Sequence, residues 1–246
     1  MKTAWVRAIG CAILLMSVAV PAFALEKVTD GVYALEPERM DDLLELETQP
    51  DLRVLLIGKT EPKATSEVHG AALRKWIESG GVAWVWGDAA ESALIKKVDA
   101  NIRASNFEFK KSTTGKKGGE LVAKGMSDKM IIHDTPLTEG VNELYIHPAK
   151  RYDDTRGLVP VVEMTDSEGN HGVVLGTVQL GKGAIVLDGT RSSGADIMFW
   201  KKHGYDKEHP HAVKQSSGEW NSYDWDRLLQ NARTIVKKMP APKTSS

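Results

Sequence analysis

LRKWIESGGVAWVWG, residues Leu73 to Gly87, is the stretch whose reading decides the fold. Leu73, Trp76 and Ile77 recur at helical spacing. Gly80-Gly81 follows, where a helix end needs a residue at positive φ. Val82 to Trp86 is an unbroken apolar run, the pattern of an inner parallel strand covered on both faces. Upstream, Arg53-Val54-Leu55-Leu56-Ile57-Gly58 is a second core strand. Thr65 or Ser66 is placed to N-cap a helix running to Ser79. Residues 53–86 therefore predict a strand–helix–strand unit of the size a parallel crossover requires.

Before this unit, Val32 to Leu35 predicts an edge strand, and Pro37 to Glu47 a helix with Met40, Leu43 and Leu44 on one face. Its acidic residues Asp41, Asp42, Glu45 and Glu47 read as a solvated face. After it, Asp88 opens a helical stretch carrying Ala89, Leu94, Ile95 and Val98. Phe107 to Lys110 alternates like an exposed strand, and Ser112 to Glu120 reads as a loop. That loop lacks the spacing G-x-x-x-x-G-K-[ST], so no phosphate site is assigned to it. Met130 to His133 and Glu143 to His147 are short strands about the turn Thr135 to Gly140. Pro160 to Thr165 and Gly172 to Val178 form a hairpin through residues 166–170. Gly181-Lys182-Gly183 then turns into the strand Ala184 to Asp188. Trp225 to Met239 is a closing amphipathic helix, with Leu228, Leu229, Ala232, Ile235 and Val236 on one face.

Residues 1–24 have the form of a secretory signal: a charged start at Lys2 and Arg7, an apolar centre, and Pro21-Ala22-Phe23-Ala24. The apolar run is too short to span a bilayer. A periplasmic or secreted protein cleaved near Ala24 is expected, with about 220 residues left, enough for one sizeable domain. The single cysteine, Cys11, would leave with the signal. The mature chain would then hold no disulfide, no thiolate and no Cys-bound metal. With 32 Lys and Arg against 33 Asp and Glu, the near-balance argues against nucleic acid as a partner. Residues 25–51 lead in to a domain at 52–238, and 239–246 read as a disordered tail. The expected class is α/β: a three-layer, flavodoxin-like domain with a mostly parallel central sheet and an antiparallel, β-rich C-terminal part.

LRKWIESGGVAWVWG (73–87), LGTVQLGKGAIVLDG (175–189) and RLLQNARTIV (227–236), with RVLLIG (53–58) at the start, together resemble the class I glutamine amidotransferase-like superfamily. The resemblance is to its branches without glutaminase activity, the ThuA-like and β-galactosidase trimerisation-like domains. It implies a flavodoxin-like sheet. Catalytic members carry a Cys at a strand-to-helix elbow, with His and Glu partners. Here the corresponding turn is Gly87-Asp88-Ala89-Ala90. Thiolate attack needs a thiol, so glutaminase chemistry is excluded for the mature chain. Asp88 reads as an N-cap or as a carboxylate facing a ligand.

The unusual region is the long polar segment 190–222, which leaves a strand end where open α/β sheets bind ligands. Asp188, Arg191, Asp196, Trp200 and Trp220 are candidate ligand contacts there, together with Asp88. Aromatic faces beside carboxylates suit a carbohydrate, whose C–H faces stack while its hydroxyls bind the acids. His203, His209 and His211 are candidate ligands for zinc, copper or nickel, with Asp206 or Asp224 as an oxygen donor. No catalytic residue and no cofactor is expected, a divalent transition metal being the alternative. His133, Asp134, Tyr145, His147, Arg151, Tyr152, Asp153 and Asp154 make a second polar cluster that reads as loop surface. No G-x-S-x-G elbow supports a serine nucleophile. The expected function is an exported, non-catalytic binding or accessory domain with a protein or carbohydrate ligand. The alternatives are a metal- or carboxylate-dependent carbohydrate hydrolase and a structural subunit of an envelope assembly.

Overall fold

The computed structural model describes residues 25–36, 38–58, 66–107, 113–116, 121–122, 129–146, 148–165, 168–190 and 225–238. The crossover unit forms as the apolar pattern requires. Strand β3 (Val54–Ile57) leads to helix α1 (Glu67–Ser79), which returns into β4 (Val82–Trp86) parallel to β3. Ser66 caps α1, and Gly80, at φ +126°, ends it, its N–H bonding the Ile77 carbonyl at 2.9 Å. Strand β2 (Val32–Leu35) pairs parallel to β3 on one side, and β13 (Gly183–Asp188) pairs parallel to β4 on the other. Val32, Val54, Val82 and Ala184 lie in line across the four strands.

Alternation then splits these strands between two cores. Val32, Val54, Leu56, Val82, Trp84 and Val186 face one side, with helix α3 (Trp225–Ala232) supplying Trp225, Leu228, Leu229 and Ala232 against them. Tyr33, Leu55, Ile57, Ala83, Val85, Ile185 and Leu187 face the other. There they meet α1, helix α2 (Ala93–Val98) and the 3-10 helix Met40–Thr48. Both faces being covered, these strands read as continuous apolar runs.

The sheet continues through antiparallel partners. Strand β12 (His171–Leu180) pairs with β13, β11 (Leu158–Thr165) with β12, β8 (Lys129–Ile132) with β11, and β7 (Leu121–Val122) with β8. At the opposite edge β1 (Glu26–Thr29) pairs antiparallel with β2. The order among the described residues is β1-β2-β3-β4-β13-β12-β11-β8-β7.

Several expectations are corrected. The sheet is mixed rather than mostly parallel: only β2–β3, β3–β4 and β4–β13 run parallel among the described strands. Val32–Leu35 is not an edge strand, because β1 covers it and all four residues are buried. Residues 40–48 wind as a 3-10 helix, and Asp42 is half-buried where a solvated face was expected. Residues 113–116, expected in a loop, form β6 against β9 (Glu143–Ile146). Of the strand expected over 107–110 only Phe107 is described, and it is buried rather than exposed; just before it β5 (Ser105–Asn106) pairs with β10 (Lys150–Arg151). Asp88 caps no α-helix: it sits in the 3-10 turn Gly87–Glu91, and Ser92 caps α2. The closing helix breaks at Arg233-Thr234 before α4 (Ile235–Lys238). Among the described residues no helix is long and apolar enough to cross a membrane.

Candidate functional site

The carboxyl ends of β4 and β13 lie side by side, with Asp188 opposite Trp86. Trp86 folds over the end of β3, and a Cβ on Gly58 would come within 2.6 Å of its ring. Gly87 follows at φ +58°, a conformation that suits glycine, and swings Asp88 out of the strand. Asp88 and Asp188 therefore reach the same sheet edge but different surroundings.

Asp188 is fully buried. Its carboxylate accepts hydrogen bonds from Trp84 Nε1 at 3.0 Å, the Thr190 N–H at 3.0 Å and Thr190 Oγ1 at 2.6 Å. A buried charge is tolerable when donors surround it, and these donors come from β4 and from the turn after β13. Asp188 thus ties the strand ends together.

Asp88 is almost wholly exposed and pairs with Lys150, Oδ1 to Nζ 3.1 Å. Lys150 is nearly enclosed: its ammonium also meets Glu91 Oε2 at 2.5 Å and donates to Asn106 Oδ1 at 2.8 Å. The backbone holds it there. Ala149 and Lys150 donate to the Gly189 carbonyl at 2.7 and 2.9 Å, so their segment lies directly on the chain leaving β13. A Cβ on Gly189 would stand 2.2 Å from the Lys150 carbonyl oxygen, which is why only glycine fits. Burial works to lower the Lys150 pKa, but the bonds to Glu91 and Asp88 outweigh it, and the ammonium is held above its ordinary value.

Tyr152, two residues on, is buried in the second core. Its hydroxyl has no hydrogen-bond partner among the described residues. Burial, and then the charges of Asp188, Glu91 and Asp88, push its pKa well above 10. The edge thus gathers three carboxylates, one buried ammonium, an amide and an unsatisfied phenol. Lys150, Glu91 and Asn106 are not candidates from sequence, and Tyr152, expected in a polar cluster on the loop surface, is instead fully buried. Their convergence is set by β10 crossing the end of β13, which a two-residue strand does not announce.

Arg191, Asp196, Trp200 and Trp220 lie outside the described residues, as do His203, His209 and His211 with Asp206 and Asp224. Among the described residues no group of three His, Cys, Asp or Glu is arranged to hold a metal ion. Glu163 on β11 lies between His133 Nε2, just past β8, at 3.0 Å and His171 Nε2 on β12 at 3.8 Å. Away from this edge of the sheet's site, the N-terminus of α1 gathers Ser66, His69 and Asp41, another convergence unread in the sequence.

No family model matches the chain, and no curated protein does. Among solved structures, a ThuA-like protein from Bacteroides uniformis is similar at 10% identity and a TM-score of 0.43, over 80% of this chain and 71% of that one. A β-galactosidase from Rahnella sp. R3 is similar at 9% identity and a TM-score of 0.39, over 66% of this chain. An exo-β-1,4-mannosidase from Opitutaceae bacterium strain TAV5 is similar at 14% identity and a TM-score of 0.33. The match covers 24% of the β-galactosidase and 31% of the mannosidase. These are loose likenesses of an α/β fold and extend to nothing else.

Proposed function

We propose that the protein is an exported binding or accessory domain of the cell envelope, built on a flavodoxin-like, three-layer scaffold of the glutamine amidotransferase-like kind. Its ligand is held at the carboxyl edge of β4 and β13. The observation that carries this reading is the group Asp88, Lys150 and Glu91 at that edge, two accessible carboxylates held on a nearly enclosed ammonium. A carbohydrate suits the set, because its hydroxyls donate to carboxylates. Asp88 and Glu91 are accessible for these bonds, at 88% and 45% side-chain exposure. The site's other charged groups, Lys150 and Asp188, are already engaged in structural bonds. Binding rather than proton transfer is the role this leaves them.

The test is calorimetric titration of the secreted chain with a panel of neutral and acidic oligosaccharides. Saturable binding that weakens about tenfold in Asp88→Asn and in Glu91→Gln supports the reading. No heat from any saccharide, or binding unchanged in both variants, overturns it. The hydrolase alternative rests on His203, His209 and His211. Stoichiometric metal, lost with EDTA together with thermal stability, would put it ahead.

A further inference from the structure

The sequence holds two Asp-Gly pairs, Asp30-Gly31 and Asp188-Gly189. Such pairs share one intrinsic reaction. The carbon of the side-chain carboxyl is within reach of the next backbone nitrogen, and glycine puts no side chain in the way. Whether a pair reacts is decided by how its surroundings hold those two atoms.

At Asp188-Gly189 both are fixed. The buried Asp188 carboxylate takes hydrogen bonds from Trp84 and Thr190, and the Gly189 N–H donates to the Val174 carbonyl at 2.7 Å. Closing a ring there would break the centre of the sheet. At Asp30-Gly31 neither is fixed. The two residues form the turn between β1 and β2, where Thr29 stands opposite Val32. The Asp30 side chain is 83% exposed and pairs with Lys27 Nζ at 2.9 Å. Gly31 is held by its carbonyl, which accepts from the Arg53 and Val54 N–H groups at 2.9 Å. Its own N–H donates to nothing among the described residues. Strand β1 is four residues long, lies at the sheet edge, and slips register between Lys27 and Thr29. A short, irregular edge strand is the part of a sheet that opens most readily, and opening gives Asp30 the freedom to turn.

We infer that Asp30-Gly31 is a site of spontaneous aspartate isomerisation, and that the product releases β1 from β2. The Gly31 nitrogen adds to Cγ of the Asp30 carboxyl in its neutral form. The new carbon–nitrogen bond closes a five-membered succinimide, and one water leaves, made from the carboxyl OH and the N–H proton. A second water opens the ring. Opening at Cγ restores aspartate. Opening at the main-chain carbonyl leaves the backbone running through the side-chain carbon, as isoaspartate. No oxidant or cofactor takes part. The backbone gains one carbon, so the two-residue turn no longer sets β1 in register with β2. Strand β2, buried at all four residues, then becomes the edge. Lys27 is the brake. Its ammonium, and more weakly that of Arg233, holds the Asp30 carboxyl below the usual carboxylate range against the opposing charge of Asp51, and so keeps it as the unreactive anion. The inference does not rest on the ligand site at β4 and β13.

The full chain is incubated in heavy-oxygen water under mildly acidic conditions. Its peptides are then separated and fragmented by electron transfer, which distinguishes aspartate from isoaspartate. Isoaspartate carrying one heavy oxygen should accumulate at Asp30 at least about tenfold faster than at Asp188, because reaction at Asp188 must wait for the core to open. In urea the two sites should label at similar rates. Lys27→Ala should label faster than the unsubstituted chain. Asp30→Glu, whose ring would need six members, should not label at that position. Hydrogen exchange at Val32–Leu35 should quicken in the isomerised fraction and stay unchanged in incubated Asp30→Glu. Equal labelling of Asp30 and Asp188 in the folded chain, or none at Asp30, overturns the inference. Isomerised chain with β2 as protected as before overturns the release of β1.

Discussion

The parallel half of the sheet and its outer antiparallel strands β8 and β11 are built to different rules. In β2, β3 and β13 every residue is buried, because helices and the 3-10 turn cover one face and α3 the other. In β8 burial alternates, and Ile131 remains 46% exposed. On β11 Val159 is 48% exposed. Strand β13 belongs to both halves, parallel to β4 and antiparallel to β12. The polar groups of the candidate site gather at its carboxyl end.

The contrast can be broken most sharply at glycines. A Cβ on Gly183 would stand 2.0 Å from the Ile77 carbonyl oxygen and 2.2 Å from that of Gly81, both backbone atoms. Gly183→Ala should cost about 3 kcal/mol, measured by urea denaturation. On β12 a Cβ on Gly176 meets chiefly the flexible end of Leu158, at 2.6 Å. Gly176→Ala should cost about 1 kcal/mol. Next in size, Val54→Thr places a hydroxyl in the covered half and should cost about 2 kcal/mol. Val159→Thr, on the exposed half, should stay within about 0.5 kcal/mol.

At the junction, Tyr152→Phe should raise stability by about 1 kcal/mol, since it removes the unsatisfied hydroxyl. The same residue sharpens the pH profile. Its folded pKa lies well above the unfolded value near 10, so above pH 10 the folded chain keeps a proton that the unfolded chain loses. Stability therefore falls as pH rises past about 10. Lys150, also raised, contributes fully below its unfolded value near 10.5, and this is lost as pH climbs through the folded value. Urea midpoints between pH 8 and 11 should fall, with a shallower slope in Tyr152→Phe.

The covered half was the legible one. An apolar run bounded by a capping serine and a double glycine permits few readings, and β3, α1 and β4 form as their pattern says. The hairpin of β11 and β12 was legible for the same reason, its turn chemistry being local. What was hidden depended on distant partners. Val32–Leu35 looks like an edge strand until the polar segment EKVT of β1 is seen to pair outside it. Lys150 looks like surface until Glu91, 59 residues away, closes on it. His69 looks like any helical residue until Asp41 meets it. Asp188 was read as a ligand contact at a strand end, but Trp84 and Thr190 enclose it, and no single stretch carries that information.

The pairing of β4 with β13 sets the order in which the chain can become a protein. Trp84 and Asp188 are separated by 104 residues, yet they share a hydrogen bond at the centre of the sheet. No early fragment can complete that centre, since its middle partner arrives late and closes a long loop when it does. Folding should accordingly be slow, and the emerging chain should stay open until most of its length is available. On the export route proposed above, such lateness would be an advantage, because the topology itself defers compaction until most of the chain has passed.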